Sequence, residues 1–272
     1  MQNVIVPLNA FDRSKVLERG QAAFVGLIAE AGAYGIEIRR ELMPEPDSSF
    51  DITENRQKLA PIQCSQFSRI KQEIDRHGLF TVYSAPIELW KADYQLNEEE
   101  LTTVFQEGRM LGAKWLKVSL GHFSEEHSDF SGLRDFLKRH QEIQLLVEND
   151  QTLHGGYVHH LFSFFENADR WVIPVKMTFD AGNWYYTNQD VEEALQELSP
   201  YVVYLHLKQV ETQNGELVTI PLQKEGTHTW KMVLNHFPQD IVKALEFSIE
   251  PKERIREFME LVGEEALLCH SS

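Results

Sequence analysis

Short apolar, β-branched runs alternate with longer amphipathic stretches along the whole chain. The runs have the length of buried strands, and each intervening stretch is long enough for a helix, as in repeated βα units. The eight candidate strands are Val4–Leu8, Gly35–Arg39, Leu79–Ser84, Trp115–Ser119, Ile143–Glu148, Val175–Asp180, Val202–His206 and Val242–Ser248. Eight such units predict an α/β fold, a (β/α)8 TIM barrel, with residues 1–272 forming a single domain.

The main alternative to a closed barrel is an open, doubly wound sheet, which shows the same alternation. No G-x-G-x-x-G motif follows the first predicted strand, so a dinucleotide-binding sheet has little support.

The sequence also predicts two helix boundaries. Asn97 before Glu98-Glu99-Glu100 predicts an N-cap followed by an acidic first turn. Pro61 predicts that the second helical region is broken or begins late.

Composition and charge narrow the class of protein. Hydrophobic residues make up 42% and charged residues 25% of the chain, which is ordinary for a folded globular protein. There are 26 Lys and Arg against 42 Asp and Glu, a net charge of −16, which argues against nucleic acid as a partner because such binding depends on neutralising phosphates.

The sequence lacks the patterns typical of membrane, secreted and disulfide-bonded proteins. No apolar run is long enough for a membrane span, and the N-terminal residues do not have the pattern of a signal peptide. Cys64 and Cys269 are too few and too far apart for a disulfide framework or a thiolate zinc motif. We therefore expect a cytoplasmic protein that does not bind membranes.

Each of the last four predicted strands carries, at or near its C-terminal end, a residue that can bind a metal. These residues are Glu148, Asp180, His206 and Glu246, and each follows about the same number of strand residues. Because the active site of a parallel barrel lies at the C-terminal ends of its strands, the four side chains are predicted to converge near the barrel axis. Glu250 is the alternative ligand from the eighth strand, since it lies four residues further along on the same face.

Three carboxylates and one imidazole are costly to bury together without a counter-ion. One divalent metal ion supplies that charge, and this donor set suits Mn²⁺, Mg²⁺, Co²⁺ or Zn²⁺ without selecting among them. A single strand-end acid is more often a helix cap or an ion-pair partner. Four such residues in consecutive units predict a metal site.

The motifs around these residues are Leu146-Val147-Glu148-Asn149, Thr178-Phe179-Asp180-Ala181-Gly182-Asn183-Trp184 and His206-Leu207-Lys208. They resemble the xylose-isomerase-like TIM-barrel superfamily of sugar isomerases and epimerases, and the resemblance covers essentially the whole chain. Within it the chain is most similar to the epimerase group of 2-ketogluconate utilisation. The segments that carry this finer likeness are residues 36–42, 84–90, 115–121 and 148–152.

The resemblance implies a mechanism. In such enzymes one metal ion holds a ketose, and two glutamates on opposite faces of the substrate transfer a proton through an enediolate. Here Glu148 and Glu246 would transfer the proton, and Asp180 and His206 would serve mainly as ligands. One departure is Asn183, because several relatives carry a histidine that contacts substrate three residues after the sixth-strand Asp. Their sugar specificity therefore does not transfer directly to this chain.

Further candidate site residues lie on strand faces that are predicted to point into the barrel. Glu37, Arg39, Lys117 and Lys208 are candidate substrate contacts, and an ion pair is the alternative for each. Asn183 and Trp184 follow the sixth strand and are also candidates. Weaker candidates are His122 in a loop, and Trp90 and Tyr185 as walls of the pocket, for which ordinary loop or core packing is the alternative.

The sequence thus favours a metal-dependent isomerase or epimerase of a ketose or sugar acid. The alternatives are a metal-dependent dehydratase of a keto-polyol, which uses the same proton abstraction, and a sugar-binding barrel without activity. A zinc endonuclease of related fold is disfavoured, because it would need several more strand-end histidines and would have to bind DNA with an acidic chain. A small sugar is the expected partner, and assembly into a homo-oligomer stays open.

Overall fold

The computed structural model describes residues 3–43 and 61–268. Eight parallel strands close into a barrel, which confirms the predicted fold. The barrel strands are β1 (Val4–Pro7), β2 (Gly35–Arg39), β3 (Phe80–Trp90), β4 (Trp115–Gly121), β5 (Gln144–Glu148), β6 (Val175–Asp180), β7 (Val202–Leu207) and β10 (Val242–Leu245). Their order around the barrel is β1-β10-β7-β6-β5-β4-β3-β2, so each strand pairs with its neighbours in the order of the barrel repeat.

Helices follow the strands and cover the outside of the barrel. They are α1 (Arg13–Arg19), α2 (Ala22–Glu30), α3 (Pro61–His77), α4 (Glu98–Leu111), α5 (Phe130–Lys138), α6 (Val158–Arg170), α7 (Asn183–Tyr186), α8 (Val191–Leu198), α9 (Thr229–His236) and α10 (Arg254–Leu268). Helix α3 is described from Pro61 onwards. The predicted break or late start falls on residues 44–60 and lies outside the described residues. Within the described ranges, no helix is both long and apolar enough to cross a membrane.

The interior of the barrel is filled by residues that alternate along the strands. Ile5, Val82, Leu146, Tyr204 and Ala244 form one buried cluster inside it. Towards the N-terminal ends of the strands three aromatic rings pack against this cluster, with ring centroids 5.3 Å apart for Tyr34 and Phe80 and 4.8 Å apart for Phe80 and Trp115. Because strand side chains repeat every two residues, the next inward positions beyond this apolar layer lie at the C-terminal ends. These positions carry the polar residues.

Three local features differ from the sequence-based expectations. Strand β3 extends beyond Ser84 to Trp90, and its register against β4 shifts between Ser84 and Glu88. Asn97 occupies the N-cap position of α4, but its side-chain amide donates to the carbonyl of Glu88 and does not cap the helix. The polar segment after β7 contains an antiparallel hairpin of β8 (Gln209–Gln213) and β9 (Glu216–Ile220).

Candidate metal centre

Four side chains that could bind a metal ion converge at the C-terminal end of the barrel. Glu148, Asp180, His206 and Glu246 each offer one ligand atom, and these atoms lie within 4.8 Å of one another. Asp180 and His206 are direct cross-strand partners on β6 and β7. Glu246 follows the last residue of β10, and its backbone N–H donates to the carbonyl of Leu207 at 3.0 Å. Barrel closure therefore brings the four predicted residues together.

The loop after β6 holds the Asp180 carboxylate in one orientation. Its Oδ1 accepts hydrogen bonds from the backbone N–H groups of Gly182 (2.8 Å) and Asn183 (3.0 Å). The side chain of Asn149 bonds both backbone groups of Asp180, at 2.7 Å to the N–H and 3.0 Å to the carbonyl. With Oδ1 occupied by backbone donors, Oδ2 faces the other three ligands.

His206 is oriented in a comparable way through its two ring nitrogens. Its Nε2 lies 3.0 Å from Glu37 Oε2, below the cluster. Its Nδ1 lies 3.0 Å from Glu148 Oε1, 3.1 Å from Glu246 Oε2 and 3.8 Å from Asp180 Oδ2. These contacts with Nδ1 are close enough for charge attraction but do not have the angles of hydrogen bonds.

Two buried atoms of the cluster therefore lack a hydrogen bond, His206 Nδ1 and Asp180 Oδ2. Lys208 Nζ is 2.8 Å from Asp180 Oδ2, but that contact is also an ion pair without hydrogen-bond geometry. Buried polar atoms without hydrogen bonds are rare in folded proteins and call for an explanation such as an ion. One nitrogen and three carboxylate oxygens are suitable ligands for a divalent cation, so the residues present fit the predicted metal.

Three cations surround the acidic cluster. Lys117 Nζ lies 2.9 Å and 2.8 Å from the two carboxylate oxygens of Glu148. Lys208 Nζ lies 3.0 Å from Glu246 Oε2, and Arg39 Nη1 lies 3.2 Å from Glu246 Oε1. Each of the two glutamates is thus held by at least one buried or nearly buried cation, which reduces the cost of burying its charge.

These contacts shift the pKa values of the ligands in different directions. Burial raises the pKa of Asp180 to about 7, against the attraction of Lys208 and with added repulsion from Glu246 and Glu148. Burial also acts to raise the pKa of Glu246, but Lys208 and His206 outweigh it and hold that pKa well below the usual value. Burial and Lys117 act to lower the pKa of His206, whereas Glu246, Glu37 and Glu148 together raise it well above the usual value.

A cavity of about 570 Å³ opens above this cluster, a size typical of small-molecule sites. Glu148 and Glu246 line it, whereas Asp180 and His206 are fully buried. The remaining residues that line the cavity are Asn9, Arg39, Asp150, Gln151, Asn183, Lys208, Thr219, Phe247 and Ser248. Two of the four candidate ligands are therefore also accessible to a small molecule.

The structure divides the other predicted site residues into three groups. Arg39, Lys208 and Asn183 line the cavity. Glu37 and Lys117 are buried below it and contact the cluster from there. Trp184 is not brought to the cavity. It is fully buried and packs against Phe179 with ring centroids 5.3 Å apart, because α7 begins directly after the loop and turns the indole into the core.

The weaker candidates also lie away from the cluster. His122 lines a separate cavity of about 390 Å³ together with His154, His159 and His160. Trp90 is fully buried and packs against Phe130. The Tyr185 hydroxyl contacts that of Thr229, outside the main cavity. Glu250, the alternative eighth-strand ligand, is largely exposed and pairs with Lys15 at 3.3 Å, so the structure places Glu246 and not Glu250 in the cluster.

Sequence reasoning missed several residues that line the cavity. Asn9 follows the first strand and donates to Glu246 Oε1 at 3.3 Å, so inspection of that strand end would have found it. Gln151 donates its side-chain N–H to Asn183 Oδ1 at 3.0 Å. Thr219 reaches the cavity from hairpin strand β9, for which the sequence pattern offered no signal.

The fold is shared with solved structures of low sequence identity. A xylose isomerase domain-containing protein from Salmonella typhimurium is 15% identical, with a TM-score of 0.65 over 99% of this chain and 97% of that one. A probable 3-DHS dehydratase of petrobactin synthesis from Bacillus anthracis is 14% identical, with a TM-score of 0.65 over 96% and 98%. An L-ribulose 3-epimerase is 12% identical, with a TM-score of 0.63 over 100% and 96%.

Two further similar structures are a zinc-containing protein and an endonuclease. The IolI protein, solved with a bound zinc atom, is 13% identical, with a TM-score of 0.63 over 100% of this chain and 98% of that one. Endonuclease IV from Thermus thermophilus is 18% identical, with a TM-score of 0.61 over 98% and 99%. No protein-family model and no curated protein matches the sequence. The structural likenesses show that the chain shares the TIM-barrel fold of these proteins, and fold alone does not determine activity.

Proposed function

We propose that the protein is a metal-dependent isomerase or epimerase of a ketose or sugar acid. The observation that carries the proposal is the division within the cluster, in which Glu148 and Glu246 line the cavity and Asp180 and His206 lie buried beneath it. Strands β5 and β10 flank β6 and β7 in the barrel, so the two glutamates approach from either side of the buried pair. A substrate above that pair would have a carboxylate on each side.

Glu148, Asp180, His206 and Glu246 would hold one divalent ion, Mn²⁺, Mg²⁺, Co²⁺ or Zn²⁺. When bound, such an ion would polarise the substrate carbonyl and stabilise the negative charge of an enediolate. The zinc atom in one structure of this fold agrees with that assignment but does not select the metal here.

The two glutamates would move the proton. One carboxylate removes a proton from the carbon next to the carbonyl, and the other returns a proton from the opposite side, which inverts that carbon. Transfer between adjacent carbons on one side would instead interconvert an aldose and a ketose. Lys117 contacts Glu148, and Arg39 and Lys208 contact Glu246, so both carboxylates are oriented before substrate binds.

The lining of the cavity suits a polyhydroxylated substrate. Amide and hydroxyl side chains of Asn9, Gln151, Asn183, Thr219 and Ser248 can exchange hydrogen bonds with sugar hydroxyl groups. The cations of the lining, Arg39 and Lys208, already contact carboxylates of the protein. A neutral ketose or singly charged sugar acid therefore fits better than a phosphate ester, which would need cations that are not already paired.

The direct test is hydrogen exchange in D₂O. Ketoses, keto acids and their phosphates are incubated with Mn²⁺-loaded protein, and NMR follows deuterium entry at the carbon next to the carbonyl. We expect exchange and epimer or isomer formation with the wild type, and loss of both in Glu148→Gln and Glu246→Gln. Glu250→Gln is the matched control, because Glu250 is exposed and lies outside the cluster.

Other outcomes of this screen would contradict the proposal. A keto-deoxy product would identify a dehydratase, the reaction named for one protein of the same fold. Sugar binding without any deuterium exchange would identify a binding protein. Endonuclease activity is disfavoured because the cluster contains one histidine and, among residues 3–43 and 61–268, no second group of this kind is found.

A further inference from the structure

Glu37 is a buried carboxylate that the proposed mechanism does not use. Its side chain is completely buried on β2, below the cluster of four candidate ligands. Four side chains from β2, β4 and β7 contact it. These are Tyr204 (2.9 Å) and His206 (3.0 Å) at Oε2, and Arg39 (2.8 Å) and Lys117 (3.4 Å) at Oε1. A carboxylate with partners on both oxygens is held in a fixed position.

The contact at Oε2 determines how His206 presents its ring. With Nε2 bonded to Glu37, the opposite nitrogen Nδ1 points towards Glu148, Asp180 and Glu246. In a neutral, metal-binding ring, a hydrogen bond from Nε2–H to a carboxylate leaves Nδ1 as the nitrogen whose lone pair is free. Glu37 thereby selects the nitrogen that faces the candidate metal position.

The contacts at Oε1 connect Glu37 to both cavity-lining glutamates. Arg39 Nη1 lies 2.8 Å from Glu37 and 3.2 Å from Glu246. Lys117 Nζ lies 3.4 Å from Glu37 and 2.8 Å from Glu148. Glu37 is thus linked through one shared cation to each of the two glutamates proposed to transfer the proton. It also contacts the candidate ligand His206 directly.

We propose that Glu37 is the positioning residue of the centre, which orients His206 Nδ1 towards the cation and holds Arg39 and Lys117 against the two glutamates. This inference rests on the proposed metal site. It assigns to Glu37 a role that acts through other residues, and it excludes direct contact with substrate, because Glu37 does not line the cavity.

The test compares metal affinity among variants of the 272-residue chain. Titration calorimetry with Mn²⁺ and Co²⁺ measures Kd, and the visible spectrum of bound Co²⁺ reports ligand identity and geometry. In Glu37→Gln we expect Kd to rise about 10- to 100-fold, the usual cost of losing a partner that orients a ligand. The Co²⁺ spectrum should change as well, which a loss of stability alone would not cause.

Three further variants distinguish the effect of the position of the Glu37 carboxylate from the effects of its charge and of changes in protein stability. Glu37→Asp keeps the charge but shortens the reach to His206, so it should also weaken metal binding, and it decides the question if Glu37→Gln does not fold. Glu41→Gln removes a negative charge next to the same Arg39 without touching His206, so its Kd should stay near the wild-type value. Tyr204→Phe keeps the ring and removes one of the hydrogen bonds that hold Glu37 Oε2, so it should raise Kd by less than Glu37→Gln does.

Each result has one interpretation. Wild-type Kd and an unchanged Co²⁺ spectrum in folded Glu37→Gln or Glu37→Asp would overturn the positioning role while leaving the metal site intact. An equal rise of Kd in Glu41→Gln would also overturn it, because charge alone would then explain the effect. A wild-type protein that binds no metal would refute the proposed function as well, so the two failures are distinguishable.

Discussion

Asp180 and His206 lie opposite each other on neighbouring strands, both fully buried, with Oδ2 and Nδ1 3.8 Å apart and neither atom hydrogen-bonded. Buried polar atoms without hydrogen bonds are rare, and an ion bound near both atoms would account for them. Lys208 contacts both Asp180 and Glu246. The predictions on metal binding and on Lys208 follow from these contacts.

Divalent metal should stabilise the folded protein. An ion that binds only the native state adds about 2.7 kcal/mol to the free energy of unfolding at a concentration a hundredfold above its Kd. We expect Mn²⁺ to raise the thermal midpoint of metal-stripped wild type by several degrees, and to have almost no effect on Asp180→Asn. Scanning calorimetry with and without Mn²⁺ checks this, and an equal rise in both proteins would show that the ion binds elsewhere.

The choice between Glu246 and Glu250 can be measured directly. Glu246→Gln should raise the metal Kd at least about tenfold, because it removes a ligand and not only a partner of one. Glu250→Gln should keep the wild-type Kd, since that side chain is exposed and pairs with Lys15. Bound metal is quantified by mass spectrometry after dialysis. Full occupancy in Glu246→Gln would contradict the assignment.

Lys208 should matter most in the protein without metal. Lys208→Met removes the cation beside the buried Asp180, which should lower the free energy of unfolding by about 3 kcal/mol. The loss should shrink when Mn²⁺ is present, because the divalent ion then balances the same carboxylates. Urea unfolding with and without Mn²⁺ measures both values. Lys15→Met, at an exposed ion pair, is the control and should change stability by less than about 1 kcal/mol.

Lys243 should produce a pH dependence unrelated to the metal site. Its side chain is buried on β10 and donates to the carbonyl of Gln239, and burial lowers its pKa to about 8 against the attraction of Asp240. The unfolded chain, with the ordinary pKa of 10.5, binds more protons between those two values. The contribution of Lys243 to the free energy of unfolding therefore rises with pH from about 8 to 10.5.

The measurement is the difference in stability between wild type and Lys243→Met. At pH 7 the charged lysine lowers wild-type stability by at most about 3 kcal/mol, and this penalty should disappear as pH approaches 10.5. Urea unfolding at several pH values follows the difference. A difference that stays constant from pH 7 to 10.5 would show that Lys243 titrates normally in the folded protein.

The four candidate ligands could be found from the sequence because strand side chains alternate. Glu148, Asp180 and His206 end apolar runs at matching positions, so a parallel barrel must bring them to one end. The choice of Glu246 over Glu250 was open because it depends on where the last strand ends, and β10 ends at Leu245. Trp184 was misjudged because a residue just beyond a strand end can turn either to the cavity or to the core.

Glu37 and Lys117 show most clearly what the two-residue alternation of strand side chains does not predict. The alternation predicts that both point into the barrel, but it does not distinguish an ion pair from a substrate contact. That distinction depends on which side chains β7 and β5 place next to them after closure. Thr219 could not be found at all, because it reaches the cavity through a hairpin that packs from outside the barrel repeat.

The sequence by itself determined the barrel, the level of the polar layer and the four residues of the candidate metal centre, since these follow from local periodicity and the order of the strands. Only the tertiary structure decided which atoms face one another. It decided that Nδ1 and not Nε2 of His206 faces the three carboxylates, and that Glu37 lies behind the ring. The physical reason is that these contacts join strands distant in sequence, and their geometry is set by barrel closure and stagger.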